Sequence, residues 1–252
     1  MNIVVAVKQI PDLQQVRIRN RQPVFEGVPF TLGLIDKNAL EAGVQLKEVS
    51  GANLIVVSAG NEEVEETIKE ALAAGADEAY LVIDDKLTDL ESSISASVLA
   101  AAIRKIDDVG LLLFGEGSGD NYSGQVSSRV AELLGLPQVG YVSQIELDGT
   151  VVRITRSLED SEEVLEAQLP LVISVLGDIN EPRIPSVTQI LKAGRKPKEI
   201  IELNDLDIDL SGLKKITTLS SLAPENDRKR AAVRTVTELV SALQAEGFIG
   251  RQ

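Results

Sequence analysis

The stretch NLIVVSAGNEEVEETIKEALAAGADEAYLVI, residues 53–83, holds two short apolar runs separated by a segment with helical periodicity. It predicts a strand over Asn53–Ser58, a helix over Glu62–Ala74 that ends at Gly75, and a second strand over Ala79–Ile83. Both runs are apolar at consecutive positions, which is typical of strands buried on both faces. The stretch therefore predicts a βαβ unit in a parallel sheet that helices cover on both sides.

The same alternation of strand and helix continues on both sides of this unit. Further strands are predicted at Ile3–Val7, Gly110–Phe114 and Leu171–Val175. Further helices are predicted at Asp89–Ile106 and at Tyr122–Leu134 before Gly135 and Pro137, and a helix that carries Leu40, Val44 and Leu46 is predicted to run to about Lys47. Shorter strands are predicted at Arg17–Arg19 and Pro23–Phe25, and at Tyr141–Leu147, Val151–Ser157 and Val164–Gln168, with Asp148-Gly149 as a hairpin turn. The predicted fold class is α/β: a three-layer, Rossmann-like domain with a parallel sheet and extra β-hairpins.

From Lys192 onward the sequence becomes charged and loop-like, until an amphipathic helix predicted at Asp227–Ala245. We therefore divide the chain into an α/β domain over residues 1–191 and a C-terminal arm over residues 192–252. The pattern alone leaves two interpretations of the arm open. It either closes the same domain or packs on a partner.

The composition excludes several classes of site. The 252 residues include no cysteine and no histidine, which removes thiolate catalysis, Cys/His zinc sites and Ser-His-Asp machinery. The net charge of -14 disfavours nucleic acid and anionic membranes as partners. No apolar run is long enough to insert into a bilayer, and the opening MNIVVAVKQIPD does not resemble a signal peptide. We expect a cytoplasmic protein.

The strongest candidate for a binding site is FGEGSGDNYSGQV, residues 114–126, between a predicted strand and a predicted helix. Its glycines let the backbone approach a ligand closely, and a helix N-terminus there offers N–H groups to a phosphate. The segment matches neither the Walker motif nor the dinucleotide fingerprint. Because it follows the carboxyl end of a strand, where open α/β sheets bind ligands, we predict that it holds a phosphate.

Two other segments also follow predicted strands. Lys8 comes after the first strand and either faces an anion or is a solvated charge. Ala59-Gly60-Asn61 comes after the second and either admits an adenine or ribose or only makes the turn. The residues alone leave these alternatives open.

The segment NEPRIPSV, residues 180–187, contains two prolines that fix an extended path. Ser186 is placed to cap a short helix predicted at Val187–Ala193. We predict that Val187 and Ile190 form an exposed apolar docking patch on this helix; the alternative is that Val187 packs into the core of its own subunit.

In this order, these segments resemble the beta subunits of electron-transfer flavoproteins over nearly the whole chain. The matching stretches are VAVKQIPD at 5–12, ALEAGVQLKE at 39–48, TIKEALAAGADEAYLV at 67–82, the run from Arg156 through Glu159 and Glu163 to Pro170, and NEPRIPSVTQILKAGRKP at 180–197. The last is the most specific of them.

The resemblance implies a heterodimer in which an alpha subunit binds the redox-active FAD. The beta subunit has an adenine-nucleotide-hydrolase-like α/β fold and holds AMP, or a second FAD in electron-bifurcating members. Its C-terminal arm packs on the alpha subunit, which favours the second interpretation of residues 192–252. The helix after NEPR docks flavin dehydrogenases through a leucine, and Val187 occupies that position here.

Carried over by position, the resemblance also implies a set of cofactor-binding residues. They are Ala6, Lys8, Asp36, Ala59, Gly115, Gly119, Asp120, Asn121, Tyr122, Ser123, Gly124, Gln125 and Val126. The sequence departs from the family where members have an Asn-Pro-Phe/Tyr-Asp-like stretch: residues 33–36 read Gly-Leu-Ile-Asp, so Ile35 replaces the aromatic residue. Asp160-Ser161 replaces a Gly-Gly pair, and Ser157 replaces an acid. AMP and a second FAD both stay open.

The function that the resemblance implies is electron transport from flavin dehydrogenases to an acceptor oxidoreductase, without a catalytic residue or a metal in this chain. The nearest alternative is the beta subunit of an electron-bifurcating flavoprotein. An alternative of another class is a stand-alone adenine-nucleotide-binding sensor, which needs neither the NEPR segment nor the arm. A nucleotide-dependent hydrolase is disfavoured because the chain lacks His, Cys and a Walker lysine.

Overall fold

A computed structural model describes residues 1–88, 90–209, 216, 218–225 and 230–250. Its strands are β1 (Asn2–Ala6), β2 (Gln9–Pro11), β3 (Arg17–Arg19), β4 (Gln22–Val24), β5 (Phe30–Leu32), β6 (Asn53–Gly60), β7 (Glu78–Ile83), β8 (Val109–Gly115), β9 (Gln138–Asp148), β10 (Val151–Ser157), β11 (Glu162–Gln168), β12 (Leu171–Val175) and β13 (Lys198–Glu202). Its helices are α1 (Leu34–Ser50), α2 (Val64–Ala74), α3 (Ser92–Ile103), α4 (Val126–Leu134), α5 (Val187–Ala193) and α6 (Val236–Ala245).

Nine of these strands form one sheet, in the order β11-β10-β9-β12-β8-β1-β6-β7-β13. Across the sheet, the strands β9, β12, β8, β1, β6, β7 and β13 each pair in parallel with the next. Strand β10 pairs antiparallel with β9 and β11. The predicted parallel α/β sheet with extra hairpins is thereby confirmed.

Alternation along the strands builds the three layers. Ile3 and Val5 of β1 belong to a buried cluster with side chains of α1 and α2, whereas Val4 and Ala6 belong to a second cluster with side chains of α3 and α4. Successive side chains of a strand point to opposite faces, so a central strand covered on both sides must be apolar throughout. This explains the continuous apolar runs in the sequence.

The predicted helix Tyr122–Leu134 begins too early. Helix α4 begins at Val126, because Tyr122 and Gly124 have left-handed φ angles of 39° and 63° that a right-handed helix does not accommodate. Its predicted end is confirmed, since Gly135 adopts the left-handed cap conformation. The glycine-rich loop is therefore longer than predicted, and residues 116–125 connect β8 to α4.

Other helix and turn boundaries also differ from the predicted ones. Helix α1 ends later than predicted, and α2 and α3 are shorter. The hairpin turn is Gly149-Thr150, because Val151 pairs with Asp148. Helix α6 begins only at Val236. Asp227 and Asp89, where two helices were predicted to begin, lie outside the described residues.

The predicted boundary at residue 191 is too early for the compact α/β unit. Strand β13 pairs with β7 at the edge of the main sheet, and Leu203 and Leu206 after it are buried. The unit comprises residues 1–17 and the described residues between 24 and 219. Packing of the arm on an alpha subunit stays a prediction.

A second compact unit comprises residues 18–23 and the described residues from 220 onward. The backbone N–H of Ala223 donates to the carbonyl oxygen of Arg21 at 2.7 Å, and the Arg21 guanidinium forms an ion pair with Glu225 at 2.5 Å. Helix α6 buries none of its own residues and leaves Val236 exposed. Across both units, no helix among the described residues is long and apolar enough to cross a membrane.

Candidate functional site

The chain reverses direction across the sheet at β1. It runs from β1 to β6 and β7 on one side and then returns to β8 on the other side of β1. Open α/β sheets bind ligands at the carboxyl ends of the strands that flank such a reversal. Ala6 ends β1 and Gly115 ends β8, so both predicted residues border this crevice. Ala59 lies on the neighbouring β6 and is half-buried.

The side chain of Asp36 is buried where the carboxyl ends of β1 and β8 meet. Its Oδ2 accepts a hydrogen bond from the backbone N–H of Lys8 at 2.8 Å, and its carboxylate also accepts one from the N–H of Gly115. A Cβ atom at Gly33 would lie 2.7 Å from Oδ2, and one at Gly115 would lie 2.8 Å from Oδ1. Glycine at both positions is therefore what allows the carboxyl group to sit between β1 and β8.

Burial raises the pKa of Asp36 to about 7, because a charged carboxylate loses its hydration there. The hydrogen bonds from the backbone and the charge of Lys8 oppose this rise, whereas the nearby Asp120 carboxylate adds to it. Asp36 consequently exchanges a proton close to neutral pH.

The Lys8 ammonium forms an ion pair with the Asp120 carboxylate of the same chain, and its place beside a bound anion stays a prediction. The Lys8 ammonium lies 2.5 Å from Asp120 Oδ2, which ties the glycine-rich loop to the end of β1. Burial of Asp120 works against its ionisation, but hydrogen bonds from Lys8 and Ser118 outweigh burial and lower its pKa. Lys8 and Asp120 thus stand together at the mouth of the crevice.

Tyr122 organises the middle of the glycine-rich loop. Its hydroxyl donates to Glu116 Oε1 at 2.5 Å, its backbone N–H donates to the Ser118 carbonyl, and its ring lies against Gly117, where a Cβ atom would be 3.0 Å away. The hydrogen bond to Glu116 is the main reason why the pKa of Tyr122 rises to about 12.

The loop ends at the N-terminus of α4. Gln125 occupies the cap position without capping the helix, and its side-chain oxygen instead accepts from Arg129. The first turn therefore has no side-chain cap, which suits a helix end that presents N–H groups to an anion. The other predicted loop residues, Gly119, Asn121 and Ser123, are exposed, and Val126 is half-buried.

We expect Gly124→Val to weaken nucleotide binding by tenfold or more and to cost about 1–2 kcal/mol of unfolding free energy. Gly124 has a φ of 63°, which a β-branched residue strongly disfavours, so the loop must shift. Isothermal titration with AMP measures the loss.

Gly149→Val is the matched control, because Gly149 has a φ of 60° in an open hairpin turn remote from the glycine-rich loop. It should cost similar stability and leave the affinity alone. An unchanged affinity in folded Gly124→Val protein would show that the loop is only a turn.

A second candidate site is the segment over residues 180–193, which helix α1 holds through Arg183. The Arg183 guanidinium donates from Nε to Glu41 Oε2 at 2.7 Å, from Nη2 to Glu41 Oε1 at 3.0 Å, and from Nη1 to Glu48 Oε1 at 2.7 Å. Burial works against ionisation of Glu41, yet its bonds from Arg183 and Gln45 hold its pKa below the usual range. Such a two-pronged pair fixes both position and orientation.

Two further contacts hold the segment at its ends. The amides of Asn38 and Asn180 donate to each other's backbone carbonyls at 2.8 and 3.0 Å. Beyond α5, the Lys196 ammonium donates to the carbonyl oxygens of Leu72 and Ala76 at the end of α2. Both ends of the segment are therefore anchored to helices of the main unit.

Between these anchors the segment presents apolar side chains to solvent. Ser186 and Gln189 form a reciprocal capping box that starts α5, and in this helix only Ala193 is buried. Val187 is 75% exposed and Ile190 is 52% exposed, which confirms the predicted exposure of both. Ile184 and Leu191, which the sequence did not single out, are also exposed on this segment, and we call these four residues the apolar patch. Its docking role stays a prediction.

Sequence reasoning did not identify Glu41 and Glu48 as partners of Arg183. The available signal was their spacing of seven residues, which places two acids on one face of a helix. It also missed the bond between Glu116 and Tyr122, for which the sequence carries no signal.

The chain is similar in sequence to a known family of proteins. Residues 24–206 match the model of the electron transfer flavoprotein domain. The chain is 36% identical over 216 residues to an electron transfer flavoprotein subunit beta of Thermoanaerobacterium thermosaccharolyticum, an alignment that spans 84% of this chain and 83% of the relative. It is 33% identical to the Bacillus subtilis protein of the same description over 99% of this chain and all of the relative. It is also 37% identical to the caffeyl-CoA reductase-Etf complex subunit CarD of Acetobacterium woodii, over 84% of this chain and 81% of that protein.

Proposed function

The chain belongs to the electron transfer flavoprotein family, and from this membership we propose that it is the beta subunit of a heterodimer that shuttles electrons from flavin dehydrogenases to an acceptor oxidoreductase. The alpha subunit carries the redox-active FAD. The chain itself is a carrier subunit and not an enzyme, because passing electrons between bound flavins requires no nucleophile, acid or base from it.

The observation that carries this proposal is the apolar patch with its anchors. Apolar side chains that are exposed to water contribute no hydrophobic stabilisation, so a group of them on a fixed segment is typical of a surface that a partner covers. Arg183 and Lys196 hold that segment at both ends and leave the patch free. A stand-alone nucleotide sensor has no use for such an element.

The crevice between β1 and β8 supports the second part of the proposal, a nucleotide in this subunit. The glycine-rich loop and the uncapped start of α4 offer N–H groups to its phosphate, whereas the charge of Lys8 nearby is already paired with Asp120. Ala6 and Ala59 leave room for an adenine ring beside the phosphate. The nucleotide is AMP in a simple carrier.

A second candidate function is the beta subunit of an electron-bifurcating flavoprotein, with a second FAD in place of AMP. What favours it is the similarity to a subunit of the caffeyl-CoA reductase-Etf complex. Extraction of nucleotides from the purified heterodimer separates the two candidates, since a second FAD doubles the flavin content per heterodimer.

We expect Val187→Ala to raise the KM for a cognate flavin dehydrogenase about tenfold, because two methyl groups that the partner buries contribute about 1.5 kcal/mol. Val187 is 75% exposed in this subunit, so its melting temperature and bound nucleotide should stay as in the wild type. Stopped-flow reduction of the heterodimer and a thermal melt of the same variant test both parts.

The matched control is Val49→Ala, because Val49 is 77% exposed on α1 and lies outside the apolar patch. Val49→Ala should change neither the KM for the dehydrogenase nor the melting temperature. A lowered melting temperature with an unaltered KM for Val187→Ala would mean that Val187 packs within its own subunit, and the docking role would then be wrong.

A further inference from the structure

Three charged side chains meet where β1 and β8 end, and their charges do not cancel. Lys8 and Asp120 form an ion pair, so together they are neutral. The third is Asp36, which forms no ion pair with a cation among the described residues. Its carboxylate accepts hydrogen bonds from the backbone N–H groups of Lys8 and Gly115 instead. The cluster therefore holds one uncompensated negative charge when Asp36 is ionised, and none when Asp36 is protonated.

The Asp36 carboxyl is held in this place by the backbone around it. Gly33 leaves room for one of its oxygens and Gly115 for the other, because a Cβ atom at either position would lie under 3.0 Å from the carboxyl oxygen. Asp36 is 7% exposed, so water screens its charge little. The protonation of this carboxyl therefore responds strongly to any charge that is brought near it.

Other charged groups around Asp36 are engaged elsewhere or exposed. Lys37, the next residue of α1, pairs with a glutamate of α2, and Glu116 accepts a hydrogen bond within the glycine-rich loop. Asp178, in the turn after β12, is exposed. Burial is the main reason why the pKa of Asp36 rises to about 7. Among the described residues, the ammonium of the ion pair lowers this pKa and its carboxylate raises it.

A phosphate bound to the glycine-rich loop would lie close to this carboxyl. The loop begins directly after Gly115, whose N–H donates to Asp36, and Asp120 lies within the loop. The phosphate of a mononucleotide carries nearly two negative charges at pH 7. Because Lys8 is already paired with Asp120, the phosphate and an ionised Asp36 repel each other. The repulsion is relieved when Asp36 takes up a proton.

We propose that Asp36 couples nucleotide binding to pH: the nucleotide phosphate enters the glycine-rich loop together with a proton that binds to the Asp36 carboxyl. The proton comes from solvent and returns to it when the nucleotide leaves, and no bond of the nucleotide changes. The affinity for the nucleotide consequently falls as the pH rises above about 7. The inference rests on the proposed nucleotide site and adds the way in which pH regulates that site.

The test titrates the full chain, freed of nucleotide, with AMP and in a separate series with FAD, at pH 7.5 in buffers of different ionisation enthalpy. The dependence of the binding enthalpy on the buffer gives the number of protons taken up. The phosphates are already ionised at this pH, so a proton that is taken up binds to the protein. We expect about half a proton or more per nucleotide, and an affinity that falls about fivefold between pH 7.0 and pH 8.5.

Asp36→Asn has a side chain of the same shape that cannot ionise. It should bind the nucleotide without proton uptake, and its affinity should change less than about twofold over the same pH range. Asp178→Asn is the matched control, because Asp178 is an exposed acid that follows the neighbouring strand β12. Asp178→Asn should keep the proton uptake and the pH dependence of the wild type.

Proton release, or no net proton exchange, in the wild type overturns the inference and leaves the nucleotide site intact. This measurement needs no variant, so it decides the question even where Asp36→Asn fails to fold. An equal pH dependence of the affinity in folded Asp36→Asn and the wild type also overturns the inference. A wild type that binds neither AMP nor FAD refutes the nucleotide site itself, and the inference with it.

Discussion

Arg183→Gln should lower the unfolding free energy by about 3 kcal/mol, because it leaves the Glu41 carboxylate without its cation. The Glu41 side chain is 6% exposed, so water cannot replace the lost bonds, whereas Glu48 is 56% exposed and loses little. Urea unfolding at pH 7 measures the change. The same variant should raise the KM for the dehydrogenase, since the apolar patch loses its main anchor.

Two further variants separate the buried pair from charge in general. Glu41→Gln combined with Arg183→Gln should recover much of the lost stability, because no unpaired charge then stays buried. Lys69→Gln breaks the exposed pair with Glu66 and should cost no more than about 0.5 kcal/mol. Equal costs for Lys69→Gln and Arg183→Gln would contradict the role given to Arg183.

The wild type should become less stable as the pH rises from about 4 to about 7, and Asp36→Asn should abolish this pH dependence. The pKa of Asp36 is about 7 in the folded chain against an ordinary value of 3.8 for aspartate, so the folded state binds more protons across this window. The stabilisation of the folded state by the protonated Asp36 carboxyl is fully present below pH 4 and is lost as the pH rises through 7. The difference corresponds to about 4 kcal/mol.

Urea unfolding at pH 5 and pH 8 measures this slope for each variant. The gain for Asp36→Asn at pH 8 should be smaller than the full difference, because its single carbonyl oxygen serves only one of the two N–H donors. Asp148→Asn, at an exposed hairpin position, is the matched control and should keep the wild-type slope. A slope in Asp36→Asn equal to that of the wild type would show that Asp36 is not the titrating group.

The parallel sheet was predictable because its information is local. The runs at 53–60 and 109–115 are apolar at consecutive positions, and Gly75 and Gly135 stop their helices as their type requires. Strand β13 was missed because a single edge strand with charged residues, KEIIE, has no such signature. Its place follows from pairing with β7, which lies over a hundred residues earlier in the chain.

The candidate site was predictable in its location and not in its contacts. The glycines after β8 indicated where the loop lies. The start of α4, however, depends on the left-handed conformation of Tyr122, which is fixed by contacts with Ser118, Glu116 and Gly117. The anchors of the apolar patch join residues 120 to 142 positions apart, and no local pattern encodes such distant contacts.

The rate at which a cognate flavin dehydrogenase reduces the flavin of the alpha subunit tests the central claim most directly. Stopped-flow absorbance follows that flavin in the heterodimer with this chain and in the alpha subunit alone. We predict rapid reduction in the heterodimer, slow reduction without this chain, and intermediate rates with Val187→Ala at limiting dehydrogenase. Equal rates with and without this chain would contradict its role as the beta subunit of an electron carrier.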